Sequence, residues 1–127
     1  MNRAHLLRGV EQFNKGFFFE AHDTLEDLWM ETTGRDKLFL QGLIQVSVGF
    51  YHLFNANMKG ARSQLSKGLH KLEQYTPAHT GVELEQFISE VSRWHLIAVE
   101  AIHGDPVMHS ESEVPKICVA PITGELN

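Results

Sequence analysis

Apolar residues recur at three- and four-residue intervals along most of the chain, a period that predicts helices rather than strands. The first predicted helix covers about residues 3–13, with Leu6, Leu7, Val10 and Phe13 on one side. Asn14-Lys15-Gly16 ends it, the glycine supplying a permissive backbone. The second covers about 18–31 and is closed by Thr32-Thr33-Gly34-Arg35. The third, about 36–55, is apolar almost all round, from Leu38 and Phe39 to Leu53 and Phe54. A helix without a polar face belongs in the middle of a domain. Gly42 and Gly49 lie seven residues apart on nearly one side of it. Each costs about 1 kcal/mol relative to alanine in a helix interior, and close approach of a neighbouring helix is the expected return. Asn55-Ala56-Asn57 turns the chain into a fourth helix, about 58–75, carrying Ala61, Leu65, Leu69 and Leu72. Thr76-Pro77 stops it, and a loop at 78–81 leads to a fifth helix, about 82–103. Leu84, Phe87, Ile88, Val91, Trp94, Ala98 and Ile102 form its stripe, and Gly104-Asp105-Pro106 closes it.

Residues 107–127 lose the helical period and contain Pro115 and Pro121, with Ile117-Cys118-Val119 able to form a short extended segment. The expected organisation is one helical bundle domain over 1–106 and an extended tail over 107–127, lying across the bundle or a partner subunit. A chain of 127 residues is the size of one domain.

The second helix interrupts its apolar pattern with chemistry. On a wheel of about 100° per residue, Phe18, His22, Leu25, Glu26 and Trp29 share one broad face. An imidazole and a carboxylate beside a buried stripe need partners or a role. Gln41, Gln45 and His52 fall within about 40° of one another on the third helix, a polar stripe on the most apolar helix of the chain. If the short connection makes these two helices antiparallel, the stripe faces His22 and Glu26, with Tyr51 and Trp29 as walls. His22, Glu26 and His52 then offer two imidazoles and a carboxylate, a donor set suited to zinc, iron or manganese. Glu26 and His22 are the candidate catalytic pair, Glu26 as general base beside a metal-bound water. Gln41 and Gln45 would orient substrate. The bland alternative is a closed polar network that fixes helix register. Neither His-Glu-x-x-His nor paired Glu-x-x-His motifs occur. His5, His70, His79, His95, His103 and His109 fall on loops, helix ends or mixed faces and read as exposed or capping residues. Glu20, Asp23 and Asp27 read as a solvated acidic face.

Charge and composition narrow the partners. The net charge is −5 and the basic residues are scattered apart from Lys59, Arg62, Lys67 and Lys71, which argues against nucleic acid. The apolar region 38–54 is broken by Gln41, Gln45 and His52, so no membrane span is expected. No signal peptide is expected behind Arg3 and Arg8. The single cysteine, Cys118, excludes an intramolecular disulfide and fits a reducing cytoplasm. No Gly-rich phosphate loop and no Gly-x-Ser-x-Gly elbow occur. The run from Gly16 to Leu25 resembles the turn and second helix of a tetratricopeptide unit, echoed loosely at 57–65. The spacing of forty between Ala21 and Ala61 exceeds the 34-residue repeat.

Phe-Phe-Glu-Ala-His-x-x-Leu-Glu-x-Leu-Trp at 18–29, Leu40-Gln41-Gly42-Leu43-Ile44-Gln45, Tyr51-His52 and Asn57-x-x-Gly60-Ala61 together resemble the bacterial and archaeal family called domain of unknown function 309. The resemblance spans about residues 10–75, with Asp23 where the family usually has glutamate. It implies an all-helical bundle and a motif set of Glu20, His22, Glu26, Trp29, Gln41, Gln45 and His52. It implies no activity.

The expected structure is therefore all-α: five helices in antiparallel hairpins, tetratricopeptide-like in local packing, with an extended C-terminal tail. Two functions compete. One is a small-ligand or metal pocket between the second and third helices, performing metal-assisted hydrolysis if catalytic. Its expected ligand-binding residues are Glu20, Trp29, Gln41, Gln45 and Tyr51, and its expected metal ligands are His22, Glu26 and His52. The other is a non-catalytic scaffold or interaction module. Self-association fits either, because an ordered tail needs a surface.

Overall fold

A computed structural model describes residues 1–104 and 107–121. Asp105 and Pro106, expected to help close the fifth helix, and residues 122–127, the end of the tail, lie outside the described residues. Five helices follow in order: α1 (Arg3–Asn14), α2 (Phe18–Glu31), α3 (Arg35–Phe54), α4 (Met58–Leu72) and α5 (Glu85–Ile102). Each packs on the next, and the α3–α4 contact is the most extensive. The all-α bundle matches the expectation, and four of the five helices begin within one residue of the predicted start.

α3 is the central helix, as its pattern predicts. Phe39, Leu40, Leu43, Val46, Phe50 and Leu53 are all buried. Its glycines do what the sequence implies. A Cβ at Gly49 would lie 2.6 Å from Leu65 Cδ2 and 3.1 Å from Leu65 N. α4 answers with Gly68, where a Cβ would meet the Gly42 carbonyl oxygen at 2.8 Å and Val46 N at 3.0 Å. Backbone thus lies on backbone, and no side-chain rotation can make room.

On the other flank of α3, aromatic rings join the remaining helices. Phe13 of α1 meets Phe18, Phe50 and Phe87 edge-on at centroid distances of 5.2, 5.9 and 5.8 Å. Phe18 stacks on Phe50, which meets Trp94 of α5 at 5.6 Å. Such edge-to-face pairs add about 0.5–1.5 kcal/mol each beyond simple burial. Leu7, grouped with the α1 stripe in the sequence, points outward instead.

The segment after α4 departs most from expectation. The fourth helix tightens at its end into a 3-10 turn, Glu73–Tyr75. Val82 and Glu83, expected to open the fifth helix, are instead strand β2, paired antiparallel with β1 (Ala78–His79). Thr80 and Gly81, with φ of 47° and 82°, make the two-residue turn. Two positive φ values suit the twist of a tight hairpin. The tail supplies the reason this segment is extended. Glu83 N donates to Cys118 O at 3.0 Å and Ala120 N donates to Gly81 O at 2.7 Å, with Val119 bridging Val82. The expected extended segment at 117–119 is therefore real, and it lies on its own bundle. Asn14 pins it to α1, its Nδ2 donating to Ile117 O at 2.9 Å and its Oδ1 accepting from Ile117 N at 2.7 Å. Among the described residues no helix is long and apolar enough to cross a membrane.

Two stability predictions follow from this packing. Gly68→Ala gains up to about 1 kcal/mol of helix propensity but forces α3 and α4 apart, an overpacking cost of about 1–3 kcal/mol. Urea unfolding should show a lower midpoint. Asn14→Ala removes two side-chain hydrogen bonds worth about 1–3 kcal/mol together. Hydrogen exchange should then speed up at Ile117 and Ala120 before it does in α3; uniform loss of protection would show that the tail is not separately pinned.

Candidate functional site

The inward positions of α2 are Ala21, Leu25 and Leu28, with Phe18 beside them. His22 and Trp29 therefore stand on the shoulder of the helix, half-buried, and Glu26 stands further out. Along α3 the residues between the α2 and α4 contacts are Gln41, Gln45, Val48 and His52, all half-buried. The predicted juxtaposition of the two stripes occurs at one end only.

There, Phe19, His22, Val48, Tyr51 and His52 line a hollow of about 210 Å³. Phe19 touches His22 at a ring separation of 5.7 Å and Tyr51 at 5.4 Å, and Tyr51 touches His52 at 5.9 Å. Four rings thus form a continuous arc from one imidazole to the other. Both imidazoles are held. His22 Nε2 lies 3.0 Å from Glu26 Oε2 and His22 Nδ1 lies 3.4 Å from Asp23 Oδ1. His52 is fixed by the cap of α4. Asn57 Oδ1 accepts from Gly60 N at 3.0 Å, which settles the orientation of its amide. Its Nδ2 then faces His52 Nδ1 at 3.3 Å as a donor. The ring nitrogen must accept, so the imidazole proton sits on Nε2 when the ring is neutral. Gly60 leaves room for this pair; a Cβ there would come within 2.6 Å of Asn57 Nδ2 and 3.0 Å of His52 Cδ2.

The other expected residues are placed elsewhere. Gln45 Oε1 accepts from Lys71 Nζ at 2.8 Å and so ties α3 to α4. Gln41 is half-buried and does not line the hollow. Trp29 does not wall it either. The Lys37 ammonium sits 4.1 Å from the centre of the indole, and Trp29 Nε1 is buried without a hydrogen-bond partner. Glu20 is exposed in the first turn of α2, as the wheel predicts for it. A carboxylate there offsets the positive end of the helix. It lines a second hollow of about 280 Å³, which shares Phe19 and Tyr51 with the first. Among the described residues no three His, Cys, Asp or Glu side chains are grouped to hold a metal ion. His22, Glu26 and His52 are thus not assembled as one donor set.

Phe19, Val48 and Asn57 are the lining and orienting residues that the wheel overlooks. Asn57 had a visible signal, an asparagine three residues before Gly60 at a helix start. Phe19 had a weaker one, its place one turn before His22 in the Phe-Phe-Glu-Ala-His run.

His79 also needs correction. It is no exposed or capping residue: its Nε2 lies 2.7 Å from Asp36 Oδ1, and its ring packs 4.8 Å from those of Phe39 and Tyr75. Tyr75 in turn donates to the Arg35 carbonyl at 2.7 Å. This cluster fastens the hairpin to the start of α3 and explains a histidine in β1. His109, which pairs with Glu113 at 2.8 Å, packs edge-on against Trp94 at 5.2 Å.

No curated protein matches the chain. Over residues 6–64, which contain the whole of the His22–His52 hollow, the chain matches the model of the family described as Domain of unknown function (DUF309), the family its motifs resemble.

Proposed function

We propose that the protein binds a small organic molecule in the hollow between α2 and α3. The observation that carries this is the convergence of His22 and His52, thirty residues apart in sequence, on one aromatic-walled space of about 210 Å³. Preoriented imidazoles on apolar walls are the composition of a ligand site, few polar groups on a greasy surface. The volume lies below the roughly 300–1,000 Å³ of sites for larger ligands, so the part of a ligand held in this hollow has few heavy atoms. His52 Nε2 supplies a directed donor. Glu26 and His22 form a carboxylate–imidazole pair able to move a proton, if a chemical step occurs.

Zinc, iron or manganese fits this arrangement less well than an organic ligand. A metal at His22 Nε2 requires Glu26 to leave the ring nitrogen it now faces at 3.0 Å. The scaffold alternative has one supporting observation, the Gln45–Lys71 bond, which makes part of the polar stripe purely structural.

The test is a fragment screen by NMR on protein labelled at histidine. Heteroaromatic and amine fragments should shift His22 and His52 together, and His22→Ala should abolish those shifts while the helical circular-dichroism signal persists. If no fragment moves either ring and His22→Ala lowers stability by about 1–3 kcal/mol, as for a stranded polar partner, the scaffold function replaces this one. Near-stoichiometric metal in untagged protein, lost on joint His22→Ala and His52→Ala substitution, would replace the organic ligand with an ion. Gly60→Ala is a second check. Its methyl displaces the Asn57–His52 pair, so fragment affinity should fall, along with about 0.5–2 kcal/mol of α4 cap stability.

A further inference from the structure

A second hollow adjoins the histidine pocket. It measures about 280 Å³, and Phe17, Phe19, Tyr51 and Phe54 line it together with Glu20 and Glu111. Three of those rings are unusually open for large apolar groups: Phe17 is 52% exposed, Phe19 47% and Tyr51 38%. Its two acids arrive from unrelated segments. Glu20 belongs to the first turn of α2, and Glu111 to the short 3-10 turn Glu111–Glu113 of the tail. The tail turn is seated against Gly16, where a Cβ would lie 3.4 Å from Glu111 Cβ. Neither carboxylate has a hydrogen bond or ion pair among the described residues, and no lysine, arginine or histidine lines the hollow. Along its length α2 also carries Asp23, Glu26, Asp27 and Glu31 and no lysine or arginine.

We propose that the ligand is an alkylammonium compound whose cationic head sits in this second hollow, between the faces of Phe19 and Tyr51 and the carboxylates of Glu20 and Glu111. This rests on the ligand-pocket function above, since the two hollows share Phe19 and Tyr51 and the rest of the molecule extends toward His22 and His52. The helix dipole accounts for Glu20 by itself. It accounts neither for a second acid brought in by the tail nor for three open aromatic rings around the same space. Ring faces carry negative electrostatic potential and attract a poorly hydrated cation, and two acids lining one hollow raise the local concentration of cations. Inorganic cations are disfavoured because aromatic walls cannot replace their water ligands. An ammonium with alkyl substituents satisfies both kinds of wall.

The full chain is titrated with choline, tetramethylammonium and butylamine, and with 3,3-dimethylbutan-1-ol, which has the shape of choline without its charge. Ring-proton resonances of Phe17, Phe19 and Tyr51 report binding. At least one ammonium compound should bind about fivefold or more tighter than the alcohol, in line with an exposed to partly desolvated cation–π contact. Joint Glu20→Gln and Glu111→Gln substitution should erase that difference while leaving alcohol binding intact, and Phe19→Ala should remove both. Equal binding of choline and the alcohol would overturn the ammonium assignment and leave the histidine pocket standing. So would failure of all three ammonium compounds when heteroaromatic fragments still shift His22 and His52. Silence of both hollows to every probe would overturn both proposals together.

Discussion

The approach of α3 to α4 is the constraint on which the rest of the molecule depends. Gly68 brings its backbone onto the Gly42 carbonyl and Val46 N, and Gly49 seats Leu65 directly against the α3 backbone. Such contact leaves no slack, since close-packed interiors cannot absorb even one added methyl group without strain. It also turns the apolar circumference of α3 to use. One flank is consumed by α4, so the opposite flank presents Phe50 and Phe54 to α1, α2 and α5, while Phe39 packs on Tyr75 and His79 after α4. The strip left between the two flanks contains Gln41, Gln45, Val48 and His52, of which Val48 and His52 line the hollow.

Within the strip, structure and site share parts. Asn57 satisfies an orphan backbone donor at the start of α4 and, with the same amide, points the His52 ring. Glu26 holds His22 from one helical turn away, the spacing at which side chains on a helix meet. Each imidazole is thus oriented by a device that local helix geometry supplies. The groove they face needs only that α2 and α3 lie side by side. The tail plays a comparable double part. Pinned by Asn14 and by the edge of the β-hairpin, it covers the ends of α1 and α5 and brings Glu111 over the α1–α2 turn.

Legibility in the sequence followed the range of the interaction. Helix starts were readable because caps and breakers act over three or four residues. Asn57 with Gly60 and Gly16 before Phe18 are local signals. Val82 and Glu83 were misread because the apolar period of α5 runs back through Val82, while the partner that draws them into a strand, Cys118 to Ala120, lies more than thirty residues away. His79 was misread for a similar reason. Its value comes from Asp36, forty-three positions earlier.

The sequence by itself determined a five-helix bundle, a central α3, glycine-mediated helix contact and a His22/Glu26 pair on the shoulder of α2. All of these rest on period, propensity and spacing within one element. Tertiary structure alone decided which polar residues meet. It sent Gln45 to Lys71 and Trp29 to Lys37, left His22 and His52 in one hollow with Phe19 and Tyr51, and carried Glu111 to the neighbourhood of Glu20. A wheel gives the azimuth of each side chain about its own axis. The offset of one helix along another is set by how their surfaces interlock, and here that is decided by the packing of glycines and rings along α3.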